Sequence, residues 1–179
     1  MDGSDRTVEA IAAAMGEALL GIQTDRGETT LVVDKGSIRK ICRVLRDGYE
    51  RFVHLSDVCA VDYLGMGLEP RFAVVYHLYS PTAGRRLRLK VPVEESDPAV
   101  PSVVEVWPAA NWQEREVFDM FGIRFDGHPN LTRILMPDDA TMHPLRKDVP
   151  LGDEDVQFSH NVISVRRPHG GEPSGSDRK

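Results

Sequence analysis

Val8, Ile11, Ala12, Met15 and Leu19 recur at helical spacing, which predicts an amphipathic helix over about Thr7–Leu20. Gly21 and the polar stretch Gln23-Thr24-Asp25-Arg26-Gly27 break that pattern, and Leu31-Val32-Val33 then centres a short strand over Thr29–Asp34. Ile38, Ile41, Cys42 and Leu45 return to the helical period, with Arg39, Lys40, Arg43 and Arg46 on other faces and Gly48 where a helix C-cap belongs. From Phe52 the period falls to two. Phe52–Leu55 opens a strand that resumes from Val58 to Tyr63, and Arg71–Tyr79 is apolar on both faces, as a central strand would be. Over Arg86–Val93, Leu87, Leu89, Val91 and Val93 alternate with Arg86, Arg88 and Lys90, and Ser80–Gly84 supplies the turn of a hairpin.

One face of that hairpin is wet, so the helices must cover the other. The pattern predicts an α+β fold of two layers: a mixed or antiparallel sheet with helices on one face. After the acidic loop Glu94–Pro98, a short helix is expected from about Ser102 to Trp107, stopped by Pro108. Asn111 then reads as an N-cap with Glu114 completing a capping box. The helix that follows buries Val117, Phe118 and Phe121, and Gly122 ends it. Three regions follow from this: a globular domain over 1–126, an extended arm over 127–166 that includes the strand-like run Val162–Val165, and a disordered tail over 167–179.

The bulk properties narrow the classes. With 179 residues the chain has room for one core, and its net charge of −6 lacks the footprint of a nucleic-acid binder. No run approaches the ~18 consecutive apolar residues of a membrane span, and the polar start Met1–Arg6 is no secretory or organelle leader, so a cytoplasmic chain is expected. Two cysteines, Cys42 and Cys59, with no Cys-x-x-Cys, cannot supply the four ligands of an iron–sulfur cluster.

The candidate chemistry is thin. Glu114 and Glu116 lie about 200° apart on a helix and do not converge on one ligand, while Arg115 stands four residues before Asp119 as an intrahelical pair. His128 and His143, with Asp126 or Asp138, are candidate metal ligands, but the fifteen-residue spacing of the histidines, each followed by proline, matches no compact site. Gly65-Met66-Gly67 lacks the third glycine and the following helix of a dinucleotide loop.

The most specific segment runs from Glu114 to Leu151. Pro129, Pro137, Pro144 and Pro150 exclude a long helix or a central strand there, and charges of both signs alternate with Leu131, Ile134, Leu135 and Leu145. An extended, proline-rich arm of this kind suits wrapping around a partner. Its ordered pieces, Glu114-Arg115-Glu116, Asp119–Ile123, Phe125–Pro129, Arg133–Asp139 and His143–Asp148, resemble the signature of the 30 kDa subunit family of NADH-quinone oxidoreductase, the C subunits of respiratory complex I. Ala140-Thr141-Met142 departs from the family, which often places a tryptophan and a glycine there.

The resemblance implies a structural subunit of the peripheral arm of a proton-translocating NADH:quinone oxidoreductase. It would have no cofactor of its own, the FMN and iron–sulfur clusters sitting on other subunits. It implies hetero-oligomeric contacts with the large quinone-site D subunit and the cluster-bearing B and I subunits, on the cytoplasmic side of the bacterial inner membrane. It implies no catalytic residue on this chain, no nucleic-acid partner and no span of its own. The interface residues it points to are Glu114, Arg115, Glu116, His128, Arg133, Asp138, Asp139, His143, Leu145, Arg146 and Lys147. Within that set Arg146 is expected to meet a partner carboxylate, whereas Arg39 and Arg43 are expected to be ordinary solvated charges. A related component of a membrane-bound hydrogenase or a ferredoxin- or deazaflavin-linked dehydrogenase stays open, as does a free-standing metal hydrolase built on Asp126, His128 and His143.

Overall fold

The computed structural model describes Ala13 and residues 15–149. Half of the expected first helix, the run Val162–Val165 and the tail lie outside them. Where the first helix was to end, the chain is already extended: Leu19–Asp25 forms strand β1, paired antiparallel with β2 (Glu28–Val33) in register Asp25↔Glu28. Of the polar stretch read as a break, Gln23–Asp25 belongs to β1 and Arg26-Gly27 is the connection, a two-residue turn with both at positive φ. Helix α1 (Ile38–Asp47) buries Ile38, Ile41, Cys42 and Leu45, as the spacing predicts, and Gly48 closes it with its N–H on the Val44 carbonyl.

β3 (His54–Asp62), β4 (Phe72–Ser80) and β5 (Arg85–Val93) follow. They complete a five-stranded sheet in the order β1-β2-β5-β4-β3, antiparallel except where β2 runs parallel to β5. On one face Leu31, Val58, Val74, Tyr76, Leu89 and Val91 join the apolar residues of α1 and of the second helix in a single core. The other face carries Arg86, Arg88, Lys90 and His77. The expected α+β architecture, a mixed sheet with helices on one face, is present.

The expected helix near Ser102–Trp107 is absent. Ala99–Pro101 is instead a short strand, β6, parallel to β7 (Arg124–Asp126), and a tight turn follows in which the Val106 and Trp107 amides meet the Val103 carbonyl. Pro101 and the β-branched residues Val100, Val103, Val104 and Val106 disfavour a helix, and a side chain described below takes the amide of Val103. Helix α2 (Ala110–Phe121) starts one residue before Asn111, without a side-chain cap, and ends at Gly122 in the left-handed conformation (φ 75°).

Arg39 is not a free charge either. Its Nε donates to the Ser102 carbonyl at 3.0 Å and its Nη2 to the Asp126 carbonyl at 3.1 Å, tying α1 to the ends of both β6 and β7. Arg43 pairs with Glu105 at 2.9 Å.

Candidate functional site

Residues 127–149 lie against the domain, and two buried carboxylates hold them. Asp119, in the last turn of α2, has no exposed surface. Its Oδ2 accepts the successive amides of Ile134 (3.0 Å), Leu135 (2.7 Å) and Met136 (2.9 Å), and its Oδ1 accepts Arg133 Nη1 at 2.6 Å. Three consecutive N–H groups converging on one oxygen form an anion-binding concavity. One turn earlier on the helix, Arg115 donates to the carbonyls of Thr132 (3.0 Å) and Arg133 (2.8 Å). The two residues bracket the arm, the cation on its carbonyls and the anion on its amides. Arg115 and Asp119 therefore do not pair with each other as their spacing had implied. Burial works against the charge on Asp119, but the backbone donors and Arg133 outweigh it and hold the carboxyl down at about 2.

The arm also finishes the helix. The last carbonyls of an α-helix have no partner within it. Here His143 Nδ1 donates to the Asp119 carbonyl at 2.9 Å, the Leu145 amide to that of Met120 at 3.1 Å, and Gly122 N–H to that of Phe118 at 2.9 Å. His143 packs so tightly that a Cβ on Gly122 would come within 2.7 Å of its ring, so position 122 needs glycine for its positive φ and for the imidazole alike.

The second carboxylate is Asp62, at the end of β3 on the core side opposite Phe72. It accepts the Leu64 amide, the Arg71 guanidinium through two nitrogens (3.1 and 2.9 Å) and, from the arm, the Lys147 amide at 2.9 Å. Burial opposes its charge, yet Arg71 and these backbone donors leave its carboxyl at about 2. Arg71, itself nearly buried, also reaches Glu95 and, at 2.8 Å, Asp148. Arg146 lies with its guanidinium 5.1 Å from the centre of the Phe72 ring and its Nε 4.0 Å from Asp148. Its side chain is thus already engaged inside the chain, by an aromatic face as well as a carboxylate.

A third carboxylate faces inward. Glu114 is fully buried; its Oε2 accepts the Ser102 hydroxyl at 2.6 Å and its Oε1 the Val103 amide at 2.7 Å. It braces the turn after β6 and does not cap its own helix. Desolvation pushes its carboxyl up to about 7, against the Ser102 and Val103 bonds and the nearby Arg39 charge. A carboxyl raised in the fold favours folding most below its unfolded value near 4.5, and that contribution is lost as pH climbs towards 7. Denaturant unfolding between about pH 4.5 and 8 should therefore show wild type losing about 3 kcal/mol relative to Glu114→Gln. A stability difference that stays flat would mean the carboxylate is charged in the fold throughout.

The remaining residues singled out in the sequence divide into two sets. His128 is taken up locally: its Nδ1 accepts the Asn130 amide and its Nε2 donates to the Asn111 carbonyl, partners that fix the tautomer. Glu116, Asp138, Asp139 and Lys147 have exposed side chains, as do Leu135 (62%) and Leu145 (53%). Asp126, His128 and His143 are not brought together, and among the described residues no three His, Cys, Asp or Glu side chains stand close enough to share a metal ion. Nor, among them, is any helix long and apolar enough to cross a membrane. Arg71 and Ser102 belong to no motif in the sequence, Asp62 stands in the run Ala60-Val61-Asp62-Tyr63 that resembles the family more loosely, and Arg39 reads there as one more solvated cation. Only Asp62 left a signal: counted in twos from Val58 it falls on the core face, where an acid needs a partner.

Comparisons with known proteins agree with one another. Residues 31–155 match the model of the family described as respiratory-chain NADH dehydrogenase, 30 Kd subunit. The NADH-quinone oxidoreductase C subunit of Roseiflexus sp. (strain RS-1) is 54% identical over 155 residues, covering 86% of this chain and 88% of its own. A trypsin-resistant fragment of Nqo5 superposes with a TM-score of 0.61 at 35% identity, over 72% of this chain and 98% of the fragment. A chain of the membrane-bound sulfane sulfur reductase, an archaeal respiratory membrane complex, shares the fold with a TM-score of 0.70 at 23% identity, over 84% of this chain and 87% of its own. The chain belongs to the 30 kDa subunit family of respiratory-chain NADH dehydrogenase, and so to the components of a multi-subunit enzyme complex.

Proposed function

We propose that this chain is a structural subunit, without a cofactor of its own, of the peripheral arm of a proton-translocating NADH:quinone oxidoreductase. Its arm docks on the large quinone-site D subunit, close to the cluster-bearing B and I subunits, on the cytoplasmic side of the membrane. The chain supports electron transfer from NADH to quinone by shape alone, and the FMN and iron–sulfur clusters belong to other subunits. The observation that carries this reading is the arm itself. Its backbone is fixed on Asp119 and Asp62, while Leu135, Leu145, Asp138, Asp139 and Lys147 face outward. Ordering an arm usually costs much of the gain of binding it, and residues 127–149 already have bonds to the domain of their own. Arg146, which lies over the Phe72 ring and near Asp148, keeps its expected place in that interface.

Leu135 and Leu145 are the contacts to test, because they are the exposed apolar anchors and truncating their side chains leaves the chain's own bonding unchanged. The Leu135→Ser/Leu145→Ser double variant should reduce the chain recovered with the detergent-extracted complex by about tenfold, as expected when two anchors of an interface are lost. Its isolated melting should match wild type. Equal recovery of both proteins would show that the arm is not an interface. The fold shared with the sulfane sulfur reductase chain keeps a related respiratory complex in view as the host. Co-purification of a flavin-bearing, NADH-oxidising partner with the chain would decide for the NADH enzyme.

A further inference from the structure

We propose that the loop from β3 to β4, residues 63–70, is a second docking surface, separate from the arm, which receives a basic protein surface with an apolar recess. The inference rests on membership of the assembly proposed above and adds a contact to it. Leu64, Met66 and Leu68, at alternate positions, are 42%, 56% and 51% exposed. Between them Gly65 and Gly67 take φ of +75° and +67°, and a Cβ at either would meet nothing within 4 Å. Glycine is therefore needed there for the direction of the backbone and not for close packing. The loop stands away from the body and turns its apolar side chains outward.

The base of the loop is fixed. Leu64 donates its amide to Asp62 at 2.9 Å, Tyr63 its amide to the Arg71 carbonyl at 2.7 Å, and Lys90 lies 4.8 Å from the centre of the Tyr63 ring. Beside the loop opens a cleft whose rim includes Glu69 and Glu94. Both are exposed, and neither makes an ion pair among the described residues. Arg71 lines the same cleft, but its charge is taken by Asp62, Glu95 and Asp148, so Glu69 and Glu94 stay without a cation of their own. An exposed apolar cluster beside two such acids is a surface for a partner of opposite charge.

That rim selects among occupants. A second copy docked loop to loop would set acid against acid, and an anionic bilayer would repel it. Of the chain's own continuation, Asp153-Glu154-Asp155 is again of the wrong sign, whereas Val162–Val165 with Arg166-Arg167 is not. A variant ending at Asp155 on which the loop substitutions no longer act would therefore replace the partner with the chain's own end. A protein surface carrying lysine or arginine around an apolar pocket complements it.

The test uses the full chain, tagged and expressed in its host, with the complex extracted in mild detergent and washed with salt. Met66→Ser/Leu68→Ser should lower retention by about tenfold, and Glu69→Gln/Glu94→Gln should make retention less dependent on salt. Leu20→Ser, on the exposed side of β1, should leave retention unchanged, and all three isolated proteins should melt like wild type. Both loop variants retained as well as wild type would overturn this inference alone. A wild-type chain absent from the complex would overturn the membership reading and this one with it. Two further results would replace the partner: co-sedimentation with vesicles of phosphatidylcholine and phosphatidylglycerol that Met66→Ser/Leu68→Ser abolishes, or a dimer of the isolated chain that the same variant loses.

Discussion

Asp119→Ala is expected to destabilise the isolated chain by about 3 to 5 kcal/mol, the range for breaking a buried ion pair by removing one partner. The substitution takes the carboxylate from Arg133, whose side chain is only 13% exposed and keeps only the backbone carbonyls of Met142 and Asp119, and leaves the amides of Ile134, Leu135 and Met136 without that acceptor. The damage should be local before it is global. Hydrogen exchange should show those amides losing protection, together with Leu145, whose amide depends on the same docking, while the amides of β4 keep theirs. Acid should do to wild type what the substitution does. A carboxyl held near 2 contributes stability above its unfolded value near 3.8, and that contribution of about 2 kcal/mol is lost as pH falls from there. Asp119→Asn should remove that part of the acid sensitivity. Unchanged amide protection in Asp119→Ala would show that the arm is held by its apolar contacts, Leu131 and Met136, and not by the carboxylate.

Arg71→Met is the second substitution with a large expected effect. Arg71 sits among three carboxylates, but they do not weigh equally. Glu95 and Asp148 are about half exposed, so water screens their loss and each contributes little. Asp62 is buried and would keep only the backbone donors of Leu64 and Lys147. Destabilisation of about 3 kcal/mol should follow, together with a rise in the Asp62 carboxyl, visible by NMR titration as a midpoint displaced upward from about 2. The cleanest control is Glu95→Gln, which should cost under about 1 kcal/mol. If the two variants melt alike, the buried pair is not what holds this end of the arm.

The core strands and α1 were legible because burial imposes a period, and the period survives in the residues: Leu87, Leu89, Val91 and Val93 could face only one way. β1 escaped because its residues are exposed on nearly every position, and an edge strand without a buried face leaves no alternation to find. The turn after β6 was misread because apolar residues of a short helix and of an irregular turn look alike over six positions. The arm was recognisable as a segment from its prolines and its order of motifs, but the groups that hold it were not. Which carboxylate holds which amide depends on chain crossings of 15 to 85 residues, between Asp119 and Ile134 and between Asp62 and Lys147. No local pattern records such pairings. The acids that matter most for the arm, Asp62 and Asp119, stand outside it.

The 85 residues between Asp62 and Lys147 also set a clock. Ribosomes add about 5 to 20 residues per second, so roughly 4 to 17 s separate the synthesis of the strand that carries Asp62 from that of the backbone amide that completes its bonding. Asp62 has Leu64 and Arg71 early but lacks its donor from the arm throughout that interval, while Asp119, made late in it, waits only the 15 residues to Ile134. A newborn chain is therefore open to protonation, proteolysis or a wrong partner until its final quarter emerges, and assembly has a natural checkpoint in the moment the arm closes.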